Sequence, residues 1–272
     1  MKKLFILISF SLIFGQSSFV GEQLEKGSVN YADRVIQAKG IGYIPAQART
    51  SVAQARMYSI RMAKVDALRN LVEIVNSITI NSETTLGEAM FSDLIHTQLK
   101  AFISGAVQVG DVKYLSDTSI EVTYEVPMSG VSEIMAPPAG FLPAVAAGTA
   151  TADADAPTTS SITGLIIDVR GLGIRPAMSP RILDQNGGVI YGPGNYTREY
   201  SIQNGVAGYA KGLDKAQVDD RVKGNPLVIK GVATSGANKA DVVIGNSDVM
   251  KIQSANTTGG VLRDCRVLFV LD

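Results

Sequence analysis

Between Ala48 and Asn76 the apolar positions return every three or four residues. Val52, Ala55, Ala63, Ala67, Leu71 and Ile74 form one stripe, and Arg49, Arg56, Lys64, Arg69 and Glu73 fall mostly off it. The stretch contains neither glycine nor proline and is rich in side chains that lose little rotamer freedom in a helix. The pattern predicts one long helix, with Thr50 or Ser51 as its N-cap. Its apolar stripe begins with alanines, which would let the helix axis lie close on a sheet.

The flanking segments alternate with period two. Arg34–Tyr43 reads as a strand in which Gly40 and Gly42 mark a bulge or a close backbone approach, and Pro45 ends it. Ser77–Thr84 predicts a short half-buried strand, and Leu86–Ile103 a second helix closed by Gly105. Ala106–Leu115 and Ser119–Val126 flank Ser116-Asp117-Thr118 as a hairpin. Its second arm puts Ile120, Val122, Tyr124 and Val126 on one face, opposite Glu121, Thr123 and Glu125. Residues 34–134 therefore predict a β-α-β-α-β-β layer domain, with both helices on one face of a mostly antiparallel sheet. Gly21–Asp33 is polar and turn-rich and predicts a flexible N-terminus.

Hydrophobic periodicity stops at Met135–Ser161, a Pro/Ala/Thr-rich linker. Residues 162–272 predict a second, mixed and β-rich α+β domain. Its strands are expected at Ile162–Val169, Pro226–Val232, Asp241–Ile244 and Arg263–Leu271, with a hairpin joining Arg181–Asp184 to Val189–Tyr191. Helices are expected at Asp214–Val222 and Ser247–Ala255, and Gly192–Gly212 is expected to be loop with short strands. The whole is an α+β protein of two units predicted to fold separately, each of ordinary domain size.

Residues 1–20 have the form of a signal peptide: Lys2 and Lys3, the apolar run Leu4–Phe14, then the small residues of Gly15-Gln16-Ser17. The run is too short to cross a bilayer. No cysteine follows it, so no lipid anchor is expected there. These features predict an exported protein of the periplasm or outer-membrane periphery, with at most peripheral membrane contact. The 272 residues carry 25 basic and 25 acidic side chains, a balance without the basic footprint of a nucleic-acid binder. The single cysteine, Cys265, precludes an intramolecular disulfide and reads as a small buried hydrophobe in preference to an intermolecular link.

Candidate chemistry is sparse. His96 is the only histidine and reads as a partly buried structural residue on the second helix. Gly171-Leu172-Gly173 lacks the third glycine and the following helix of a dinucleotide fingerprint. Asp153 and Asp155 lack the spacing of a calcium loop. No catalytic, metal or cofactor site is expected, and the chain reads as a non-enzyme. Two sets of interaction residues remain. Arg56, Arg61, Lys64 and Arg69 form a basic helix face suited to an acidic partner, either a neighbouring subunit or lipid headgroups. Tyr191, Tyr196 and Tyr200 either present flat surfaces to a glycan, peptidoglycan fragment or peptide, or pack on their own sheet.

The ordered series Ala55-Arg56, Ala63–Glu73, Ile78–Ser82, Thr84-Thr85, Phe102–Ala106 and Ile120–Thr123 resembles a family of small outer-membrane-associated lipoproteins that includes the flagellar basal-disk protein FlgP. The resemblance spans Arg34–Met128. It implies an exported, non-enzymatic assembly protein. A homo-oligomer or an envelope partner is expected, with the sheet edges and the small-residue helix as candidate contact surfaces. The family's lipid-bearing cysteine is missing here.

Overall fold

The computed structural model describes residues 19–43, 51–89, 93–117, 119–135 and 162–272. Residues 1–18 of the expected signal peptide and residues 136–161 of the expected linker lie outside them, whereas Val20, expected within the signal peptide, is buried in the core. Among the described residues, no helix is long and apolar enough to cross a membrane.

The first half holds strands β1 (Gly21–Leu24), β2 (Gly27–Asn30) and β3 (Val35–Gly42), then helices α1 (Val52–Ser77), α2 (Leu86–Ala89) and α3 (Asp93–Ser104). Strands β4 (Val107–Tyr114) and β5 (Ile120–Pro127) and helix α4 (Met128–Met135) complete it. The strands form an antiparallel sheet ordered β1-β2-β3-β5-β4. The segment expected to be a flexible N-terminus is instead the β1–β2 hairpin. Its sequence is polar, but Val29 is buried by pairing with Ile36, and Tyr31 is buried just beyond.

Strands β3 and β5 pair over eight residues and turn one face to α1. On that face the small residues Ala38, Gly40 and Gly42 of β3 lie across from Tyr124, Val122 and Ile120 of β5. The glycines clear a track for α1. A Cβ on Gly40 would collide with the backbone of Ala63 and Ala67, and one on Gly42 with the carbonyl of Ser59. Ser59, Ala63 and Ala67 are fully buried there, so the helix axis does lie against the sheet as its small residues predict. They are spent on internal packing, which removes the small-residue face as a contact surface for partners. The N-cap is Ser51, whose Oγ accepts from the Gln54 amide.

Strand β2 is shorter than β3, and side chains of α1 serve β3 beyond it. Asp66 accepts the Ile41 amide at 3.0 Å, and Asn70 donates to the Lys39 carbonyl at 2.8 Å. Both belong to the series that carries the family resemblance, and both have this structural use.

One further expectation in this half needs correcting. Ser77–Thr84 forms only an isolated bridge between Thr79 and Thr85. Its carbonyls are directed instead at the second half, where Thr79 and Ile80 accept the amides of Met178 and Ser179. The helix expected over Leu86–Ile103 is represented by α2 and α3, and residues 90–92 of it lie outside the described residues.

The second half holds β6 (Leu165–Asp168), β7 (Ile182–Leu183), β8 (Val189–Tyr191), α5 (Arg198–Asn204), β9 (Gly208–Lys211) and α6 (Leu213–Val218). After these come β10 (Leu227–Ser235), β11 (Asp241–Ile244), α7 (Asn246–Gly259) and β12 (Val267–Leu271). Seven strands run in the order β8-β7-β11-β10-β6-β12-β9, with β10, β6, β12 and β9 mutually parallel. Such strands are buried on both faces. Ile166, Leu268 and Val270 lie with Ala216 of α6, while Leu165, Ile167, Val267 and Phe269 join the main core. Gly171 and Gly173 both take positive φ in the turn after β6, and no helix starts there. Helix α5 occupies part of the segment expected to be loop, and α7 begins after Gly245 where Ser247 was the expected cap.

The two sheets mark two domains, and the halves meet along a seam. One continuous cluster of buried apolar side chains contains residues of both. Tyr31 meets Tyr209 edge-on at 5.5 Å, and Ser82 Oγ accepts the amides of Ala240 and Asp241 at 2.8 and 2.6 Å.

Candidate functional site

The residues singled out from the sequence divide sharply by environment. Tyr191 is fully buried, its hydroxyl donating to the Val206 carbonyl at 2.5 Å. Tyr196 is buried 5.6 Å from the Tyr191 ring, with its hydroxyl 3.0 Å from Ser179 Oγ. Burial pushes both phenols above their ordinary pKa. Tyr191 is packed away within its own half, as a flat side chain with one polar atom to satisfy commonly is, while Tyr196 lines an apolar hollow in the seam. Tyr200 is 39% exposed and lines a cleft described below.

On α1, Arg56 stacks over the Tyr114 ring at 4.9 Å and Lys64 over Tyr124 at 5.6 Å. Arg69 lies 3.4 Å from Asp66 and 3.9 Å from Glu73. Of the four basic candidates, Arg61 is the one without an ion pair or ring contact among the described residues. The basic face is therefore mostly absorbed within the molecule. Between and beside these cations the helix exposes Val52, Met57, Tyr58, Met62 and Val65. His96 is exposed on α3, where a partly buried position was expected. Among the described residues, no three His, Cys, Asp or Glu side chains cluster as metal ligands.

Sequence reasoning missed the seam between the halves. A cleft of about 680 Å³ opens there, with Tyr31, Asp33 and Arg34 on one wall and Tyr200, Arg221 and Arg266 on the other. Helix α5 ends at its rim. Arg34 donates to the carbonyls of Ile202 and Gln203, and Arg221 to those of Asn204, Gly205 and Cys265. A helix C-terminus carries partial negative charge and unsatisfied carbonyls, so two guanidiniums stabilise it. Gly205 and Gly208 make room: a Cβ would stand 3.2 Å from Arg34 Nε at the first and 2.8 Å from Arg221 Nε at the second. Asp264 is buried in the same wall and accepts from Arg263 and Arg266. A smaller apolar hollow of about 250 Å³, between Leu86, Met135, Met178 and Val206, lies in the same seam.

Cys265 lies in the cleft wall with its residue fully buried and a positive φ of 53°. Burial is the largest influence on its thiol and pushes the pKa from 9.0 up to about 11. The thiol should therefore resist Ellman's reagent in the native protein at pH 8 and react on unfolding; rapid native labelling would contradict this placement. Because the folded pKa is raised, the neutral thiol's contribution to stability is present in full below pH 9.0 and is lost as pH rises towards about 11. Denaturation midpoints measured across that window should fall.

Comparison with known proteins bears on the second half. Residues 164–272 match the family described as the second domain of Treponema pallidum Tp0624. The match starts at the edge of β6 and covers the whole seven-stranded sheet, so the division into two parts seen in the two sheets has a counterpart in that family. It does not reach the first half. No curated protein matches the chain. Over residues 164–272, under half of its length, the chain is similar to that spirochaete domain family.

Proposed function

We propose that the protein is a non-enzymatic assembly component of the cell envelope, exported to the periplasm or outer-membrane periphery, and that it self-associates through the outer face of α1. The observation that carries this reading is the solvent-facing row Tyr58, Met62 and Val65, at 55%, 51% and 64% exposure. These residues stand four and three apart, so they share one helix face. A single exposed apolar residue needs no explanation, but a contiguous row of them marks an interaction surface.

The occupant is a second copy of the chain. An antiparallel copy centred between Met62 and Val65 lays the two apolar rows against each other. The row thus meets its own equivalent, as a two-fold interface requires. The edge strand β4 suits such a contact less well. Its pairing with β5 shifts between Val109 and Lys113, where Gly110 takes φ of 70°, and bulges of this kind guard an edge against strand addition. The FlgP-like series in the first half agrees with an assembly role, and a place near the flagellar basal body is its most specific form.

Light scattering coupled to size exclusion tests the reading on residues 21–272. The wild type should run as an oligomer. Tyr58→Glu with Val65→Glu should weaken association at least about tenfold, because two charges would be buried without partners. Circular dichroism should stay unchanged. A wild type that is strictly monomeric at high concentration would end the proposal.

A further inference from the structure

Arg34 and Arg221 stand side by side at the floor of the seam cleft, and neither forms an ion pair among the described residues. Every other arginine on this wall has its carboxylate: Arg263 and Arg266 share Asp264. Carbonyl dipoles of α5 and Cys265 satisfy some of the donors of Arg34 and Arg221, and Asp219 offsets part of the Arg221 charge from beyond ion-pair distance. Two like charges in a partly desolvated wall repel, and an anion between them would relieve both. Burial is the largest influence lowering the pKa of each guanidinium, and the Arg221 charge lowers that of Arg34 further.

We propose that the seam cleft binds a small organic oxyanion, whose carboxylate or phosphate group sits between the Arg34 and Arg221 guanidiniums. A planar guanidinium offers a fork of donors matched to such groups, and its five donors exceed what these carbonyls consume. The cleft is far larger than one oxyanion and falls within the usual size of a small-molecule site. The remainder of the ligand meets the half-exposed ring of Tyr200 and the carboxylates of Asp33 and Asp219, which accept from hydroxyl or ammonium groups. Lys215, exposed at the mouth with no ion pair among the described residues, adds a further positive charge on the approach. Both halves supply an arginine, so the site exists only in the joined molecule. It lies apart from the α1 row and stands or falls independently of self-association.

Isothermal titration on residues 21–272 at constant ionic strength tests this with two probes, inorganic phosphate and succinate. One saturable site per chain is expected for at least one of them, and the better probe tells a phosphate ligand from a carboxylate ligand. Arg34→Gln should weaken that binding at least about tenfold, the loss expected for charge-assisted hydrogen bonds. Arg34→Lys, which keeps the charge and loses the fork, should fall between. Should Arg34→Gln misfold, Lys215→Glu keeps the test open, since it leaves the guanidinium–carbonyl bonds untouched and should still weaken binding several-fold. Absence of saturable binding by both probes overturns the proposal. So does full affinity in a folded Arg34→Gln or Lys215→Glu protein.

Discussion

Replacing Gly40 with valine is expected to remove at least about 3 kcal/mol of stability, a large share of the roughly 5–15 kcal/mol available to a folded protein. The side chain would have to enter the space where Ala63 and Ala67 place their backbone, and backbone cannot rotate aside as a flexible side chain can. Either α1 lifts from β3 along its length, forfeiting the burial of Ala63, Ala67 and Leu71, or β3 bends and gives up pairing with β5. Gly40→Ala should be milder but still destabilising, because one methyl already meets the same atoms. Urea denaturation followed by circular dichroism measures both. A valine variant within about 1 kcal/mol of wild type would mean that the helix rides higher on the sheet than described.

Asp241→Ala is expected to be comparably damaging, at about 3–5 kcal/mol, through a different mechanism. Asp241 is fully buried, and its carboxylate accepts from the Arg181 amide at 2.8 Å and from Arg181 Nε at 2.7 Å. Its own amide donates to Ser82 Oγ across the seam, and Arg181 reaches over to Glu83 at 3.0 Å. Alanine would strand the guanidinium with the exposed Glu83 alone and loosen the segment that grips Ser82. Asp241→Asn, which still accepts a hydrogen bond, should lose less. The effect should cross the seam. Hydrogen exchange should show protection falling in α1 as well as in β11. If β11 alone loosened while α1 kept its protection, the two halves would be energetically separate and the shared core would carry little coupling.

The fold and the interfaces were legible to different degrees, and the reason is visible in particular residues. Helix α1 and the β4–β5 hairpin announce themselves because each buries a regular stripe, and regular burial writes a period into the sequence. Gly40 and Gly42 could be read as a close approach because the alanines facing them on α1 told the same story. The β1–β2 hairpin could not be read that way. It buries little beyond Val29 and Tyr31, and Gly21, Gly27 and Asn30 resemble loop residues. The seam was hidden for a related reason. Much of its bonding is done by Ser82, Asn238, Asp241 and Arg34, polar residues that carry no periodic signal and whose partners lie well over a hundred positions away. The cleft depends on that seam, so Arg34 and Arg221 could not be paired before the chain was folded. Tyr191 and Tyr196 were ambiguous for the opposite reason, since a tyrosine in a glycine-rich stretch suits a core and a binding surface equally.

The strand order of the second sheet has a consequence for how the protein is made. β12 is the last strand in sequence yet lies between β6 and β9, with Val267, Leu268, Phe269 and Val270 all buried. Its partner β6 is synthesised about a hundred residues earlier. Until β12 arrives, β6 has one open side and β9 has no parallel neighbour, so this half cannot close before β12 has been made. Long-range parallel pairing of this kind is slow and leaves hydrophobic strand edges exposed in the meantime. The first half, whose longest helix packs on strands close by in sequence, faces no such wait. The seam then becomes a checkpoint: Ser82 and Arg34 bond to backbone of the second half, so the junction can set firmly only once β12 has slotted into that half.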